Sequence, residues 1–351
     1  MLWFYFITTI LISFFLTPLV IFIMRRTGII DRAKKEKRKI HKKHIPLGGG
    51  IVIFVSFFVA LALAVFAFGD VGTDISKKTL LGVALGGLVI IIGGLLDDAY
   101  TLRPRYQIIF PVLASSIAIL SGIGIESISH PTGGIIHLTG ITISVSGLGK
   151  FLVLADLLVF FWLMGLMMST KFLDGLDGLV SGIAAIGGIV IFFVSRQAQW
   201  FQPEVGLVSL LFAAACIGFL VWNFHPAKIF LGEGGSVFTG YMLGVLALIS
   251  GSKIATTLLV MGFPMLDLCR VIIMRLLKKR PVFVGDQEHL HFRLIHSGLS
   301  QRQAVLLLYS ISLLFGLSVL FLQQHQQVVA LGLLGVTMLL LSLFLVKNQP
   351  S

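Results

Sequence analysis

Apolar and polar positions alternate along this chain on the scale of whole helices. Eleven apolar runs, at 2–24, 47–69, 79–96, 106–124, 151–169, 178–195, 206–223, 235–251, 254–274, 303–323 and 328–346, are separated by polar punctuation. Runs of about 17–25 apolar residues are what a helix needs to cross the hydrocarbon core of a bilayer. Runs eight and nine meet at Ser250-Gly251-Ser252, which reads as a tight turn. The stretch 125–150 differs, because IIHLTGITISVSG alternates and is rich in β-branched residues. It predicts a short β-hairpin near 134–146, outside the membrane. The pattern therefore predicts an all-α polytopic membrane protein, one domain over 1–351, with about eleven transmembrane helices. Two polar loops stand out, a basic one at 25–46 and a histidine-containing one at 275–302.

Composition supports the same solvent. The 351 residues are 57% hydrophobic and 12% charged, with a mean hydropathy of +1.01. Soluble domains carry about 25% charged residues. Cys216 and Cys269 lie in apolar runs with no CxxC partner, so no disulfide framework is implied. The first run has no basic segment before it and no small-residue cleavage site before Arg25, and reads as a retained span. Lysine and arginine set the orientation. The loop 25–46 alone carries ten of them, and alternation puts all 27 but Lys77, Lys78, Lys150, Arg196 and Lys253 on one side. The positive-inside rule makes that side cytoplasmic, with the N-terminus outside and the C-terminus inside. The net charge of +12 then needs no nucleic acid to explain it, since a basic face beside anionic lipid is sufficient.

The acids refine this picture. Asp97, Asp98, Asp174, Asp177, Glu233, Asp267, Asp286 and Glu288 fall at span ends or in short connections on the basic side, although basic residues alone defined that side. Carboxylates at membrane depth are costly and mark ion or substrate sites. Several of them among basic loops point to a divalent cation and a phosphate-bearing ligand, and magnesium suits oxygen ligands bridged to phosphates. A transporter is the rival reading, but transporter sites lie near the midplane and often within inverted repeats, and no repeat is visible here.

Four stretches carry the candidate chemistry. GGLLDDAY ends span three with Asp97 and Asp98, which on a helix point about 100° apart and need not share a role. TKFLDGLDGL places Asp174 and Asp177 three apart, on one face of a helix or at the favourable end of its dipole. NFHPAKIFLGEGGS, from Asn223 to Ser236, is a glycine-rich break without the Gly-Lys-Ser/Thr of a Walker A loop. GDQEHLHFRLIHSGLSQRQA holds His289 and His291, with no cysteine to complete a zinc site and with basic neighbours that fit phosphate. Each stretch alone also reads as a cap, a turn or a solvated loop.

Their order resembles the polyprenyl-phosphate N-acetylhexosamine-1-phosphate transferases, the MraY/WecA/TagO family of glycosyltransferase family 4 type. Arg38 to Pro46 with Gly48-Gly49 is similar to the family's first basic loop, Asp97-Asp98 to its DD motif, and Met168 to Leu179 to NxxNxxDGxDGL. Asn223 to Ser236 resembles NxxPAxxFxGDxGS, and Asp286, His289 and His291 resemble DxxHxHH. The resemblance implies transfer of a sugar-1-phosphate from a UDP-sugar to undecaprenyl or another polyprenyl phosphate in the membrane, with release of UMP. It implies Asp97 as base or acceptor-positioning group, Asp98 beside it, and Asp98, Asp174 and Glu233 around magnesium or manganese. It puts Asp177, Asn223, Phe230, Phe172 and Gly175 about the uridine, Lys171 and Asp286 at the binding site, and His289 and His291 at the diphosphate. A homodimer is common in the family. HLHFRLIHSGLSQRQA looks like the WecA/TagO branch, hence UDP-GlcNAc over UDP-MurNAc-pentapeptide, as a first step of cell-envelope polysaccharide synthesis.

This chain departs from the family pattern at four places. Met168 and Lys171 stand where the motif has asparagines, Glu233 where it has a metal-binding aspartate, and Phe292 where it has a histidine. These changes suggest a divergent donor preference, and they keep a non-catalytic sugar-lipid binding protein in view. Direct attack by the lipid phosphate and a phospho-enzyme route both remain open, with direct attack favoured because a phosphate monoester is already a competent nucleophile.

Overall fold

The computed structural model describes residues 1–31, 44–125, 127–129, 135–138, 140, 142–145, 149–198, 201–250, 254–277, 279, 289–322 and 324–347. Among them the helices are α1 (Leu2–Thr27), α2 (Gly49–Ala62) with a π-helical extension (Leu63–Ala67), α3 (Lys77–Tyr100), α4 (Pro104–Gln107) and α5 (Ile109–Leu120). There follow α6 (Val153–Leu173), α7 (Leu179–Ser195), α8 (Pro203–Asn223), α9 (Gly232–Ile249), α10 (Ile254–Leu277), α11 (Leu290–His296), α12 (Gln301–Ser318) and α13 (Gln324–Lys347). Each of the eleven apolar runs falls on a helix. Seven segments are long and apolar enough to cross a bilayer: α1, α2 with its extension, α3, α6, α8, α9, and Thr257–Leu277 of α10. Pro104–Leu120, Leu179–Ser195 and Gln326–Leu341 are apolar but shorter. The protein is an all-α polytopic membrane protein. Most of the basic loop 25–46 and residues 280–288, including Asp286, lie outside the described residues.

The expected single hairpin is corrected to two ribbons. β3 (Ser127–Ser129) pairs antiparallel with β4 (Ile135–His137), and β5 (Thr142–Val145) pairs antiparallel with β6 (Gly149–Leu152). The alternating run is therefore split, one half pairing backward and the other forward. The turn-forming tracts, Pro131-Thr132-Gly133-Gly134 and Ser146-Gly147, flank the run rather than interrupt its middle. A third ribbon joins β1 (Ile30–Asp31) to β2 (Ile45–Pro46), closing the base of the basic loop. The 275–302 loop is shorter than its polar sequence suggests, because α11 forms within it. Ser300 and Gln303 cap α12 reciprocally, as the S-x-x-Q spacing requires.

The bundle is built around α9, whose residues are almost all buried, whereas α1 exposes a lipid-facing edge including Trp3, Ile7, Leu11 and Phe15. Lipid tails are as apolar as leucine, so helices in a membrane gain by close packing, and small residues permit it. A Cβ on Gly94 of α3 would lie 2.0 Å from the Gly234 nitrogen, and one on Gly50 of α2 would lie 2.5 Å from the Gly235 Cα. On the third side, a Cβ at Gly240 would lie 2.5 Å from the Leu166 carbonyl oxygen of α6. Three helices thus meet α9 backbone to backbone, and the first two do so in its first turn.

The far end of the bundle is pinned separately. The buried Glu204 carboxylate at the start of α8 accepts the backbone N–H groups of Gly72, Thr73, Asp74 and Ile75, at 2.8–3.0 Å. Tyr5 of α1 donates its hydroxyl to Asp70 in the same loop.

Gly94→Ala is expected to lower the melting temperature in detergent by several degrees, since overpacking a tight contact costs about 1–3 kcal/mol. Gly124→Ala, whose added Cβ meets nothing within 4 Å, should leave it unchanged. Thermal unfolding of the two variants beside the parent checks this.

Candidate active site

The close approach of α3 to α9 sets two neighbouring aspartates to different tasks. The Asp97 carbonyl accepts Thr101 N–H at 2.7 Å, ending α3. Its side-chain Oδ1 accepts Leu102 N–H at 2.7 Å and the Gln107 Nε2 amide at 3.0 Å, so the carboxylate is held across the α3–α4 turn. Asp98, one residue on and rotated about 100°, turns the other way. Its Oδ1 accepts the Glu233 N–H at 3.1 Å, an N-cap supplied to α9 by another helix. The residue before Glu233 must be glycine. Gly232 has φ +74°, and a Cβ there would lie 2.4 Å from Asp98 Oδ2.

Lys171, in the last turn of α6, reaches this junction from the third side. Its Nζ forms an ion pair with Glu233 Oε1 and donates to Gln107 Oε1 at 2.8 Å. An ammonium can only donate, so it fixes which end of the Gln107 amide faces Asp97. Of the three expected metal ligands, Glu233 is therefore bound to a lysine and Asp98 caps a helix. The third, Asp174, follows α6 and has no hydrogen-bond or ion-pair partner among the described residues. Asp174 is solvent-exposed, and the crowding of protein about its carboxyl, with the Glu233, Asp98 and Asp177 carboxylates nearby, raises its pKa above the usual carboxylate range. Among the described residues no three His, Cys, Asp or Glu side chains converge at metal-ligand distance.

The loop after α6 and the break before α9 hold each other. Asp177 Oδ2 meets His225 Nδ1 at 2.7 Å and accepts Ala227 N–H at 3.1 Å. Asn223 is buried, its amide donating to the Ile229 carbonyl at 2.9 Å and its oxygen accepting Ser181 Oγ at 2.8 Å. Phe230 ties the break to α2, its N–H donating to Pro46 O and its carbonyl accepting Gly49 N–H. Asp177, Asn223 and Phe230, expected about the uridine, are thus engaged in shaping these loops.

The two histidines stack on each other, ring centroids 5.6 Å apart, but have different partners. His289 caps α11, and its Nδ1 meets Asp267 Oδ2 at 2.8 Å. Asp267 also accepts the Leu290 N–H and a two-pronged contact from Arg270, at 2.7 and 3.2 Å. The buried aspartate therefore sets the tautomer and direction of His289, which stacks on Phe172 with ring centroids 5.8 Å apart. His291 is fully buried with neither ring nitrogen partnered. It packs beneath Gly175, where a Cβ would lie 2.4 Å from its Nε2. Of the two, His289 lines the cavity beside Lys171 and Glu233, and His291 does not. Burial, with His289 adding to it, lowers the His291 pKa to about 3.

A cavity of about 220 Å³ opens among α3, α5, α6, α9 and α10. Its lining is mostly apolar, including Ile90, Ile108, Phe110, Met168, Val237 and Ile272, and it also holds Asp97, Gln107, Lys171, Glu233, Arg275 and His289. Asp98 faces a separate small recess beside Gly48 and Gly234. Greasy and charged surfaces therefore meet in one chamber.

Known proteins resemble this chain over most of its length. The profile of Glycosyl transferase family 4 matches residues 80–251. A probable undecaprenyl-phosphate N-acetylglucosaminyl 1-phosphate transferase of Bacillus subtilis is 31% identical over 325 residues, covering 91% of this chain and 84% of the relative. This chain belongs to glycosyl transferase family 4. A decaprenyl-phosphate N-acetylglucosaminephosphotransferase of Mycobacterium tuberculosis is 29% identical over 328 residues, 86% of this chain and 78% of its own. A phospho-N-acetylmuramoyl-pentapeptide-transferase of Halalkalibacterium halodurans is 27% identical over 330 residues, 90% and 96% respectively.

Within this family-4 site, Gln107 and Arg275 are additions to the residues proposed from sequence, and Asp267, noted there only among the acids, gains a positioning role. Asp267 had a signal, a carboxylate inside MGFPMLDLCRV three residues before Arg270. Gln107 had none, since an uncharged residue after a basic turn is unremarkable until its neighbours are known. His291 yields a test. Its depressed pKa means that the unfolded chain takes up a proton below about 6.5 while the folded one stays neutral down to about 3. Stability should therefore fall as pH drops through that window, by at most about 1.4 kcal/mol per pH unit from this group. His291→Phe should flatten the slope of melting temperature against pH.

Proposed function

We propose that this protein transfers a sugar-1-phosphate, GlcNAc-1-phosphate in the first instance, from a UDP-sugar to a polyprenyl phosphate, releasing UMP. The observation that carries this reading is the chamber itself. Its mostly apolar lining could take a lipid chain, and the same lining holds Lys171, Arg275, His289, Asp97 and Glu233. A lipid phosphate and a nucleotide sugar need both surfaces at once. The names of the Bacillus and Mycobacterium relatives agree with it. UDP-MurNAc-pentapeptide is the second donor to test, because the transferase from Halalkalibacterium aligns over most of both chains. The basic residues near the acidic end of the bundle, among them Arg25, Arg26, Arg103 and Arg105, support placing the site on the cytoplasmic face.

The chain's own groups suggest a division of labour. Asp97 is held by Leu102 and Gln107 at the edge of the chamber and orients, or deprotonates, the acceptor phosphate. An acceptor oxygen attacks the phosphorus bonded to the sugar, the bond to the UMP oxygen breaks, and UMP leaves with that electron pair. Lys171, Arg275 and His289 reduce the repulsion between the two anions. The fit to magnesium rests on the all-oxygen donor set and on Asp174, an unpartnered carboxyl crowded by Asp98 and Glu233. Asp174 would hold the ion, with manganese as a substitute; Asp98 and Glu233 would join it only by giving up the Glu233 amide and Lys171. Bound there, the ion would supply positive charge against the diphosphate.

Purified protein with magnesium, undecaprenyl phosphate and a panel of UDP-sugars should release UMP, most rapidly with UDP-GlcNAc. A folded sample that releases none with any donor would sink the enzyme reading. Asp97→Asn should lower kcat by about 10²-fold or more. Metal binding must displace the Asp174 proton, so affinity for manganese, read by electron paramagnetic resonance, should go on rising with pH above the usual carboxylate range. Asp174→Asn should remove that pH dependence.

A further inference from the structure

Four side chains form one continuous line in the lining of the chamber. Glu233 pairs with Lys171, Lys171 Nζ donates to Gln107 Oε1 at 2.8 Å, and Gln107 Nε2 donates to Asp97 Oδ1 at 3.0 Å. The same Nε2 also donates to the Leu102 carbonyl at 3.0 Å. These groups come from α9, α6, α4 and α3, so the line ties together four elements that are far apart in sequence. Its direction is dictated by chemistry. Lys171 has only donors, hence the Gln107 oxygen must face it and the Gln107 NH2 must face Asp97.

We infer that Lys171 and Gln107 are a positioning pair for the transfer reaction. A single ammonium shared between their sites balances Glu233 and, through the amide, aims the Asp97 carboxylate. This rests on the proposed function, in which Asp97 faces the acceptor phosphate. Lys171→Gln leaves Glu233 without its cation beside Asp98 and Asp174, and frees the Gln107 amide to flip and present its oxygen to Asp97. Gln107→Lys puts two ammonium groups in contact. Exchanging the two residues moves one ammonium across a 2.8 Å contact and keeps the number of charges in the chamber constant. The ammonium then lies against Asp97, with an amide at Glu233. Lys171 thus acts through Asp97 and Glu233 rather than as a metal ligand or as a passive part of the helix end.

The test is a four-protein cycle on the full-length chain in detergent: the parent, Lys171→Gln, Gln107→Lys, and the exchanged pair. Turnover is read as UMP released from UDP-GlcNAc and undecaprenyl phosphate, and melting temperature is read on the same samples. Each single variant should lose about tenfold or more in kcat, and the exchanged pair should regain most of it, with the four melting temperatures close together. An exchanged pair no better than the worse single variant, from an active parent, would overturn the inference and leave the proposed function standing. Losses in kcat that simply follow losses in melting temperature would overturn it too, reducing the pair to a structural role. A parent that releases no UMP with any donor would overturn the proposed function and this inference with it.

Discussion

Backbone contact at the first turn of α9 is the constraint on which the site depends. Gly94 against Gly234 and Gly50 against Gly235 leave no room for a side chain, and in a bilayer close packing is the main reason for helices to associate. This contact sets the last turn of α3 beside the N-terminus of α9. Asp98 can then reach the Glu233 amide, and Asp97 is turned toward the chamber on the opposite side. A side chain at Gly94 would push the two helix ends apart and misplace three carboxylates together.

Charge is the second constraint, and it follows from the first. Bringing helix ends together concentrates Asp97, Asp98, Asp174 and Glu233 at one end of the bundle. The chain answers unevenly. Asp97 and Asp98 are satisfied by backbone and amide donors, Glu233 by Lys171. Asp174 is left with none among the described residues. Nearby, Asp267 solves the same problem with three donors, Arg270, His289 and the Leu290 amide, and thereby orients the histidine that lines the chamber. Satisfied acids build the frame, and the unsatisfied one marks where an external cation would be favoured.

The helices were legible because their signal is long. A run of about 20 apolar residues has few other uses, and each of the eleven became a helix. The ribbon region was harder. Alternation identified strands at 135–145, but the choice between pairing forward and backward depends on turns outside the run, and both occurred. The motif residues Asp97, Asp98, Lys171 and Glu233 come together at one end of the bundle. The motifs said less about roles. Asn223 and Asp177 stand at motif positions but are engaged by neighbouring loops, and His291 lies beneath Gly175 instead of in the chamber.

By itself the sequence determined the solvent, where the long apolar helices lie, and the order of motifs that resembles the family. Those properties depend on composition and spacing along one dimension. Only the tertiary structure decided partners. That Lys171 binds Glu233, that Gln107 lies between Lys171 and Asp97, and that Asp267 rather than a loop residue directs His289 are consequences of helix ends meeting within hydrogen-bonding distance. Contacts at that scale depend on how closely α3, α6 and α10 approach α9, and no single helix carries that information.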